Sequence, residues 1–501
     1  MQDPAVAHPT ADRVGRRIDP ALVLIALLAF VVRIPSFFAK RVLLFDDGVY
    51  GASAVAMRHG GIPFRDVFSS QPPLFLPLVF AFDALGLRRL DSPRLLAVVS
   101  GVLVVVTVWG IAHRLGGRRA AIIASLLMAT SGCLLWTTGP LTSDGTAEVF
   151  AAFAVLVAIT YRDSPTLRRA VVVGLLLGVG VAIKLVMLAP AAVACALLLL
   201  TSRRFRDLFI AVVAGLAVVV VASVPFGIAG VWNQSVRYHL DTGEQQDALA
   251  NLRKTSSTLG DRDVPLLFGA VVALIGLFAD RRHRGPGPAR RPLLDRLTGG
   301  AAPIVWWLVL ALLAVTAQTP MWRNHLAHLV VPACVLVGVG LAPMVDRIRR
   351  LPVAALGALV VLTTLAIGYH VVHLSPLLWD TGATGIEARV VRALRELPAG
   401  ALAISDDPGV VWRAGRRTPD DLVDASVLRQ KTSEPSLRLT SDSIVKAAAN
   451  PNVCAVAVRS AVRWGAFGDL PDRLEAEGYH VAEHYGGPRA LYVKQNCRNG
   501  N

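Results

Sequence analysis

The sequence predicts a mainly α-helical membrane protein: a polytopic transmembrane helical bundle followed by a small extracytoplasmic α/β domain. Of the 501 residues, 54% are hydrophobic and only 17% are charged, which is less charge than a soluble chain of this size carries. Apolar runs of about 18–22 residues recur along the first three quarters of the chain. After about residue 380, helical and strand-like segments alternate instead.

About eleven apolar runs have the length and composition of membrane spans. They cover residues 20–38, 93–113, 119–139, 143–161, 168–187, 188–201, 206–230, 263–280, 301–317, 324–341 and 352–373. The first run follows three arginines, as in a signal peptide, but it is about 19 residues long and lacks a clear small-residue cleavage site. We therefore expect an uncleaved signal anchor behind a cytoplasmic tail, residues 1–19.

Loop charge sets the predicted topology. The apolar run 74–87 is short and is interrupted by Pro77 and Asp83. If this run does not span and the N-terminus is cytoplasmic, every strongly basic short loop lies in the cytosol, as the positive-inside rule expects. The loops thus account for the net charge of +16, and no nucleic-acid partner is expected.

This topology predicts a multi-pass protein of the plasma (inner) membrane. The transmembrane domain covers 20–373, and its first external loop, 39–92, holds two helices, 51–59 and 74–87. We expect both helices to lie along the outer membrane surface with their apolar faces in lipid. The extracytoplasmic α/β domain covers 374–501.

Within the C-terminal domain the pattern predicts helices at 386–397 and 470–477 and strands at 401–405, 453–458 and 489–494. The sequence Asp406-Asp407-Pro408-Gly409 is typical of a solvated turn. Cys454 and Cys497 can pair if this domain lies outside the cytosol. Cys133, Cys195 and Cys334 fall in apolar runs and are expected to be packing residues.

Two adjacent carboxylates, Asp46 and Asp47, follow the first span directly. Charge beside a bilayer is costly and is usually kept for function, although an ordinary solvated loop is the alternative. The predicted topology places further polar residues on the same face: Asp144, Lys184, Arg323, His325 and His328. No Walker loop, dinucleotide fingerprint or zinc-type Cys/His spacing occurs, which argues against nucleotide-driven and redox functions.

The cationic residues of this group leave alternatives open. Lys184 lies in an apolar run, where it either extends to the headgroups or meets an anionic ligand. His325 and His328 are three residues apart on one helix and share a face. They can bind phosphate, ligate a divalent cation or sit at the membrane interface, and no metal site is predicted from them.

A carboxylate beside cations at the outer leaflet suits the transfer of a sugar from an anionic leaving group. An aspartate can take the proton of the acceptor hydroxyl, and positive charge stabilises the departing phosphate. Nucleotide sugars stay in the cytosol, so an enzyme on the external face needs a lipid-linked donor.

The order of these motifs resembles the GT-C glycosyltransferases, in particular the branch of the protein O-mannosyltransferases and the lipid A aminoarabinose transferase. In that family an acidic pair opens the first external loop, and an amphipathic helix and a Pro-Pro segment follow. A later Asp starts a span, and a Lys segment and a Pro-ended span come after it. The matching segments here are Asp46-Asp47, 50–57, Gln71-Pro72-Pro73, Thr142–Thr146, Ile183-Lys184 and His325–Pro332. Two positions depart from the pattern: the aminoarabinose branch has Lys where this chain has Gln71, and many relatives have Glu where it has Asp47.

The resemblance implies an inverting transfer of a pentose or hexose, such as arabinose or mannose, from a polyprenyl-phosphate donor. The acceptor would be an envelope glycan, lipid or protein on the external face. Implied roles are catalysis for Asp46 (the base), Asp47 and Asp144; donor phosphate binding for Lys184, Arg323, His325 and His328; and acceptor or loop positioning for Tyr50 and Gln71. The rival hypotheses are a lipid or glycan transporter and a non-enzymatic envelope-assembly protein.

Overall fold

The computed structural model describes residues 18–185, 188–241, 247–283, 297–348, 352–378, 385–495 and 497. The chain forms a helical bundle followed by a smaller α/β domain. The helices of the bundle and its external loops are Pro20–Val31, Ile34–Phe37, Phe45–Arg58, Phe75–Leu85, Leu95–Thr130, Gly132–Thr138, Ser143–Asp163, Leu167–Val181, Ala189–Leu200, Phe205–Ser223, Ile228–Trp232, Tyr238–Asp241, Ala248–Arg262, Val264–His283, Ala302–Ala317, Ala327–Leu341, Val345–Ile348 and Val353–Leu378.

The multi-pass architecture is confirmed. Within the described ranges, six helical segments are long and apolar enough to cross a membrane, and four shorter apolar helices accompany them. The run predicted at 93–113 and the first part of the run at 119–139 lie in Leu95–Thr130, which is interrupted at Gly117 by a φ of 75°. The rest of the second run forms the separate helix Gly132–Thr138. The count of about eleven spans stays a prediction.

Small residues allow the helices of the bundle to approach closely. A Cβ at Gly338 would lie 2.6 Å from the carbonyl oxygen of Ala120, and one at Gly174 would lie 2.0 Å from that of Ala211. Close backbone packing of this kind drives helix association where lipid removes the hydrophobic driving force.

The helix Phe45–Arg58, called the acidic helix below, carries the Asp pair in its first turn rather than in a loop. The expectation that its apolar face lies in lipid is wrong, because Val49, Tyr50, Ala52 and Ala54 are all buried in protein. The physical reason is a second layer, since the C-terminal domain covers this helix.

The far end of the acidic helix is tied to the helix Phe75–Leu85. Arg58 donates to both carboxylate oxygens of Asp83 at 2.7 and 2.5 Å, and Asp83 is fully buried. The aspartate that interrupts the apolar run is thus a structural ion-pair partner.

The C-terminal domain contains a four-stranded sheet in the order β1-β2-β4-β3. The strands are β1 Leu402–Ser405, β2 Val453–Val458, β3 Tyr479–His484 and β4 Ala490–Lys494; the helices are Gly385–Arg395, Pro408–Arg413, Val427–Lys431, Ser441–Ala448 and Leu470–Ala476. β1 and β2 are parallel, and the other pairings are antiparallel. The predicted strands are present, β3 was not predicted, and Cys454 is disulfide-bonded to Cys497.

The helix Pro408–Arg413 holds this domain against the acidic helix. A Cβ at Gly48 would lie 2.6 Å from the Cα atom of Gly409, so the two backbones touch and both positions need glycine. Arg413 donates to the carbonyl oxygens of Ala39 and Lys40 and pairs with Asp91 at 2.5 Å. The C-terminal domain therefore contacts the loop that leads to the Asp pair.

Candidate active site

Asp46 is a half-buried carboxylate to which the described part of the chain offers no hydrogen bond or ion pair. Burial raises its pKa to about 6; the positive charge of Lys184 acts against this rise, and the negative charges of Asp144 and Asp424 add to it. The charges of those three side chains therefore act on Asp46. A free carboxylate with a raised pKa is a suitable proton acceptor.

Asp47 has other partners in the structure, and its catalytic role stays a prediction. Its carboxylate is fully buried and accepts from Arg94 at 3.0 and 2.6 Å. It also accepts from the backbone amides of Leu43 and Leu141. Successive helical residues point about 100° apart, so Asp46 faces the site while Asp47 faces the protein interior.

Asp144 lies close to a lysine and two histidines at the start of the helix Ser143–Asp163. Its carboxylate lies 3.5 Å from Lys184 Nζ, 3.4 Å from His328 Nε2 and 3.9 Å from His325 Nε2. The two histidines meet the same carboxylate, as their predicted shared helix face requires. Lys184 follows the helix Leu167–Val181 and is the most accessible of the three, with 17% of its side chain exposed.

Glu148 is a site residue that the sequence reasoning missed. It lies one helical turn after Asp144, and its carboxylate contacts His328 Nδ1 at 2.5 Å. Both ring nitrogens of His328 thus face carboxylates, and the imidazole can donate to both only when it carries both protons. An acidic residue inside an apolar span was itself the signal.

A polar chain links the Asp144 helix to the C-terminal domain. Ser143 donates to the side-chain oxygen of Gln71 at 2.9 Å, and Gln71 donates to Ser70, which donates to Asp424, both at 3.4 Å. Gln71 therefore lies at the site but forms no ion pair there. Asp424 is buried, and no sequence motif had singled it out.

Tyr50, on the acidic helix, lies near the same charged side chains. Its ring packs edge-on against Phe75 with centroids 4.6 Å apart. Burial, reinforced by the charges of Asp46, Asp424 and Asp144, raises the pKa of the phenol well above its usual value. The phenol is therefore neutral and can donate a hydrogen bond to a ligand.

His239, from the segment after residue 231, adds another ring close to Lys184. Burial lowers its pKa to about 4, and the charge of Lys184 acts in the same direction. Its neighbour Tyr238 packs on Phe68, and its hydroxyl lies 3.0 Å from that of Ser426. The segment that holds Phe68, the segment that holds Tyr238 and the C-terminal domain therefore meet near the site.

Arg323 is not among the cations around Asp144. Its side chain is exposed, and the charges on which it acts are those of Lys254 and Arg262. Arg323 and His325 are two residues apart in a 3₁₀ turn, where three residues complete a turn, so their side chains point in different directions. The structure therefore does not bring Arg323 together with Asp144, and its role at the donor phosphate stays a prediction.

Asp406 does not lie in the solvated turn that the sequence predicted. Its carboxylate is buried and accepts from the backbone amides of Arg459 and Ser460 at 2.7 and 2.8 Å. The predicted solvated turn is instead a structural contact between the ends of β1 and β2.

The sequence left open whether His325 and His328 ligate a metal ion. Among the residues described, no group of three or more His, Cys, Asp and Glu side chains has an arrangement that could hold a metal ion.

The fold is that of the GT-C glycosyltransferases, which confirms the resemblance seen in the sequence. The chain is similar to ArnT from Cupriavidus metallidurans, solved bound to undecaprenyl phosphate, with 16% identity over 96% of this chain and 98% of that one and a TM-score of 0.62. It is also similar to the oligosaccharyltransferase of Archaeoglobus fulgidus, solved with zinc and sulfate, with 15% identity over 95% and 73% of the two chains and a TM-score of 0.52.

At the level of sequence, residues 70–227 match the family described as dolichyl-phosphate-mannose-protein mannosyltransferase. The match includes Gln71, Asp144, Glu148 and Lys184, and it begins after the acidic helix. No curated protein matches the chain.

Proposed function

We propose that this GT-C glycosyltransferase moves a sugar from a polyprenyl-phosphate donor to an envelope acceptor on the external face, with inversion of the anomeric centre. The observation that carries the proposal is Asp46, a carboxylate without a described partner whose pKa is raised to about 6 and which lies beside Lys184 and Asp144. The ArnT structure bound to undecaprenyl phosphate supports a lipid-linked donor.

Asp46 acts as the general base in a single displacement. The acceptor hydroxyl gives its proton to Asp46 while its oxygen forms a bond to the anomeric carbon. The bond from that carbon to the phosphate oxygen breaks, and polyprenyl phosphate leaves with the electron pair. One displacement inverts the anomeric centre because the acceptor attacks the face opposite the phosphate.

Lys184 is the cation that we place on the donor phosphate. It is more exposed than His325 and His328, which are buried and turned towards Asp144. A cation fixed at the leaving phosphate stabilises the charge that develops there. Asp144 and Glu148 keep this cationic group assembled, which makes them positioning residues.

We assign acceptor binding to Tyr50 and Asp424. Tyr50 offers a neutral phenol, and Asp424 offers a carboxylate that already accepts from Ser70 and from the Ser426 amide. Sugar hydroxyls are ligands for such groups. The sugar is a pentose or hexose such as arabinose or mannose, and the acceptor is a glycan, lipid or protein.

The site faces the outside of the plasma (inner) membrane in this proposal. The N-terminus is cytoplasmic and the C-terminal domain is extracytoplasmic, as the basic short loops predict. The rival transporter function would place charges near the bilayer midplane on broken helices.

The test is a transfer assay with the full chain purified into nanodiscs. Polyprenyl-phosphate pentoses and hexoses are offered with isolated envelope acceptors, and product stereochemistry is read by NMR. We expect transfer from at least one lipid-linked sugar and none from nucleotide sugars. Lys184→Met should reduce kcat/KM by about 10²–10³-fold, because a charge at the leaving group is lost.

Arg323→Met is the matched control, since it removes a cation that acts on Lys254 and Arg262 rather than on Asp144. It should leave kcat/KM within about threefold of the wild type, because it lies outside the cationic group. Equal losses in both variants would place the donor phosphate near Arg323, Lys254 and Arg262 instead. Transfer from nucleotide sugars alone would end the lipid-donor proposal.

The rate should follow the ionisation of Asp46. Below a pH of about 6 the raised pKa leaves this carboxyl protonated, so kcat/KM should fall about tenfold per pH unit and reach a plateau above. Asp424→Asn removes a negative charge that raises the pKa of Asp46, so the midpoint should move to lower pH. Asp442→Asn, on the surface of the same domain, is the control, and a midpoint that is the same in all three proteins would contradict the assignment.

A further inference from the structure

The C-terminal domain has a shallow basic cavity that the proposed reaction does not use. It encloses about 410 Å³ and is lined by Arg459, Ser460, Ala461, Gly486, Gly487, Pro488 and Arg489. Arg459 and Ser460 follow β2, and Asp406 and Asp407 follow the parallel strand β1. The cavity therefore lies at the carboxyl ends of parallel strands, where open α/β sheets commonly bind ligands.

The arginines of this region have hydrogen-bonding capacity that the described residues do not use. Nε and Nη1 of Arg459 are buried without a partner, as is Nε of Arg463. Their ion pairs are long: Arg459 Nη2 lies 3.7 Å from Asp407, and Arg463 Nε lies 3.8 Å from Asp406. A buried guanidinium N–H without an acceptor is costly, so an acceptor from a ligand would stabilise this arrangement.

The acidic side chains nearby do not supply the hydrogen-bond acceptors that these arginines lack. Asp406 already accepts from two backbone amides, and Asp407 faces Arg459 only at the long distance of 3.7 Å. Arg389 and Glu483, which are also nearby, pair with each other at 2.8 Å. Glu387 also acts on Arg459, whereas no described carboxylate forms an ion pair with Arg489, so the cavity keeps one unpaired guanidinium.

Gly486 and Gly487 keep the opposite wall open. Both have left-handed backbone conformations, with φ of 91° and 57°, and neither has a side chain to fill the cavity. Arg489 donates to the carbonyl oxygen of Gly486 at 3.1 Å, which holds this turn and its guanidinium at the rim.

The region adjoins the acidic helix. The guanidinium of Arg463 stacks over the ring of Phe45, 4.8 Å from its centroid, and Phe45 directly precedes Asp46. The amide of Val42 donates to Glu387 of the same domain at 2.9 Å. A ligand held by these arginines would therefore lie beside the loop that carries the catalytic carboxylate.

We propose that Arg459, Arg463 and Arg489 form a phosphate-binding site that holds a phosphate of the acceptor beside the acidic helix. Guanidinium groups match the geometry of phosphate oxygens and bind them through paired, charge-assisted hydrogen bonds. The role given to the ligand depends on the proposed transferase function, whereas the phosphate site itself does not.

The test is isothermal titration of the full chain with inorganic phosphate at constant ionic strength and without a donor. In a Lys184→Met background, which removes the cation proposed for the donor phosphate, we expect one site and an affinity weakened about tenfold or more by Arg459→Gln and by Arg463→Gln. Arg489 lies at the rim, so Arg489→Gln should fold even if the more buried variants do not. It should weaken phosphate binding as well. Arg473→Gln, an exposed arginine of the same domain that pairs with Asp442 and Asp469, should bind as the Lys184→Met parent does.

A second arm separates the two sources of phosphate. In nanodiscs of anionic phospholipid, a site that takes lipid headgroups would show weaker apparent phosphate affinity than in zwitterionic nanodiscs, whereas a site for the acceptor would show equal affinity. Equal affinity is the expected result, and a loss confined to anionic discs would overturn the acceptor assignment. Absence of a phosphate site in the Lys184→Met parent, or the parent's affinity in all three arginine variants, would overturn the site and leave the transferase proposal untouched.

Discussion

Replacing Asp46 with asparagine is expected to lower kcat by about 10²–10⁴-fold, the contribution of a positioned general base. The amide keeps the size of the side chain but cannot take a proton from the acceptor hydroxyl. Since the described residues form no hydrogen bond or ion pair with Asp46, its loss should leave the unfolding temperature near that of the wild type. The measurements are single-turnover transfer in nanodiscs and thermal unfolding of the same preparation.

Asp46→Glu is the matched control for this experiment. It retains a base on a side chain one methylene longer, so we expect partial activity with a pH dependence of the same sign. Asp46→Asn protein that folds normally and transfers sugar at the wild-type rate would remove Asp46 from catalysis. The acidic pair would then have a structural role only.

The sequence predicted the central part of the site because membrane spans limit where polar residues can lie. Asp144, His325 and His328 begin spans on one predicted face, and Lys184 ends one, so their meeting around a single carboxylate follows from topology. Two histidines three residues apart had to share a helix face. No knowledge of side-chain packing was needed for this part.

The acidic pair was predicted in a loop, but the structure places it in the first turn of the acidic helix. Acidic residues are favoured in the first turn of a helix, which was the signal that the acidic helix begins at Phe45. Its burial could not be predicted, because it depends on Gly409 and Trp412, more than 350 residues further along the chain. For the same reason Asp424 escaped detection: nothing in its own segment shows that it meets Ser70.

Asp406 shows that a turn can be predicted correctly while its environment is not. Its turn signal was correct, since a helix begins at Pro408 directly after it. Whether a turn is solvated depends on what packs against it, and here the amides after β2 take both carboxylate oxygens. Pairing between strands about 50 residues apart decides that outcome.

Asp47→Ala is expected to act on stability rather than on the chemical step. It leaves Arg94 buried without its carboxylate, and breaking a buried pair in this way costs about 3–5 kcal/mol. Arg94 also donates to the carbonyl oxygens of Ala39 and Arg41, so the loop before the acidic helix should loosen with it. Thermal and denaturant unfolding in detergent measure the loss.

The matched control is Asp163→Ala, which removes one partner of the exposed pair Arg114–Asp163 and should cost at most about 1 kcal/mol. Replacing both partners, as Asp47→Leu with Arg94→Met, removes the uncompensated charge and should recover part of the lost stability. If Asp47→Ala unfolds at the wild-type temperature, the pair does not anchor the acidic helix. If it keeps wild-type stability and also loses transfer, Asp47 belongs to the catalytic machinery after all, and the division of labour between the two carboxylates is reversed.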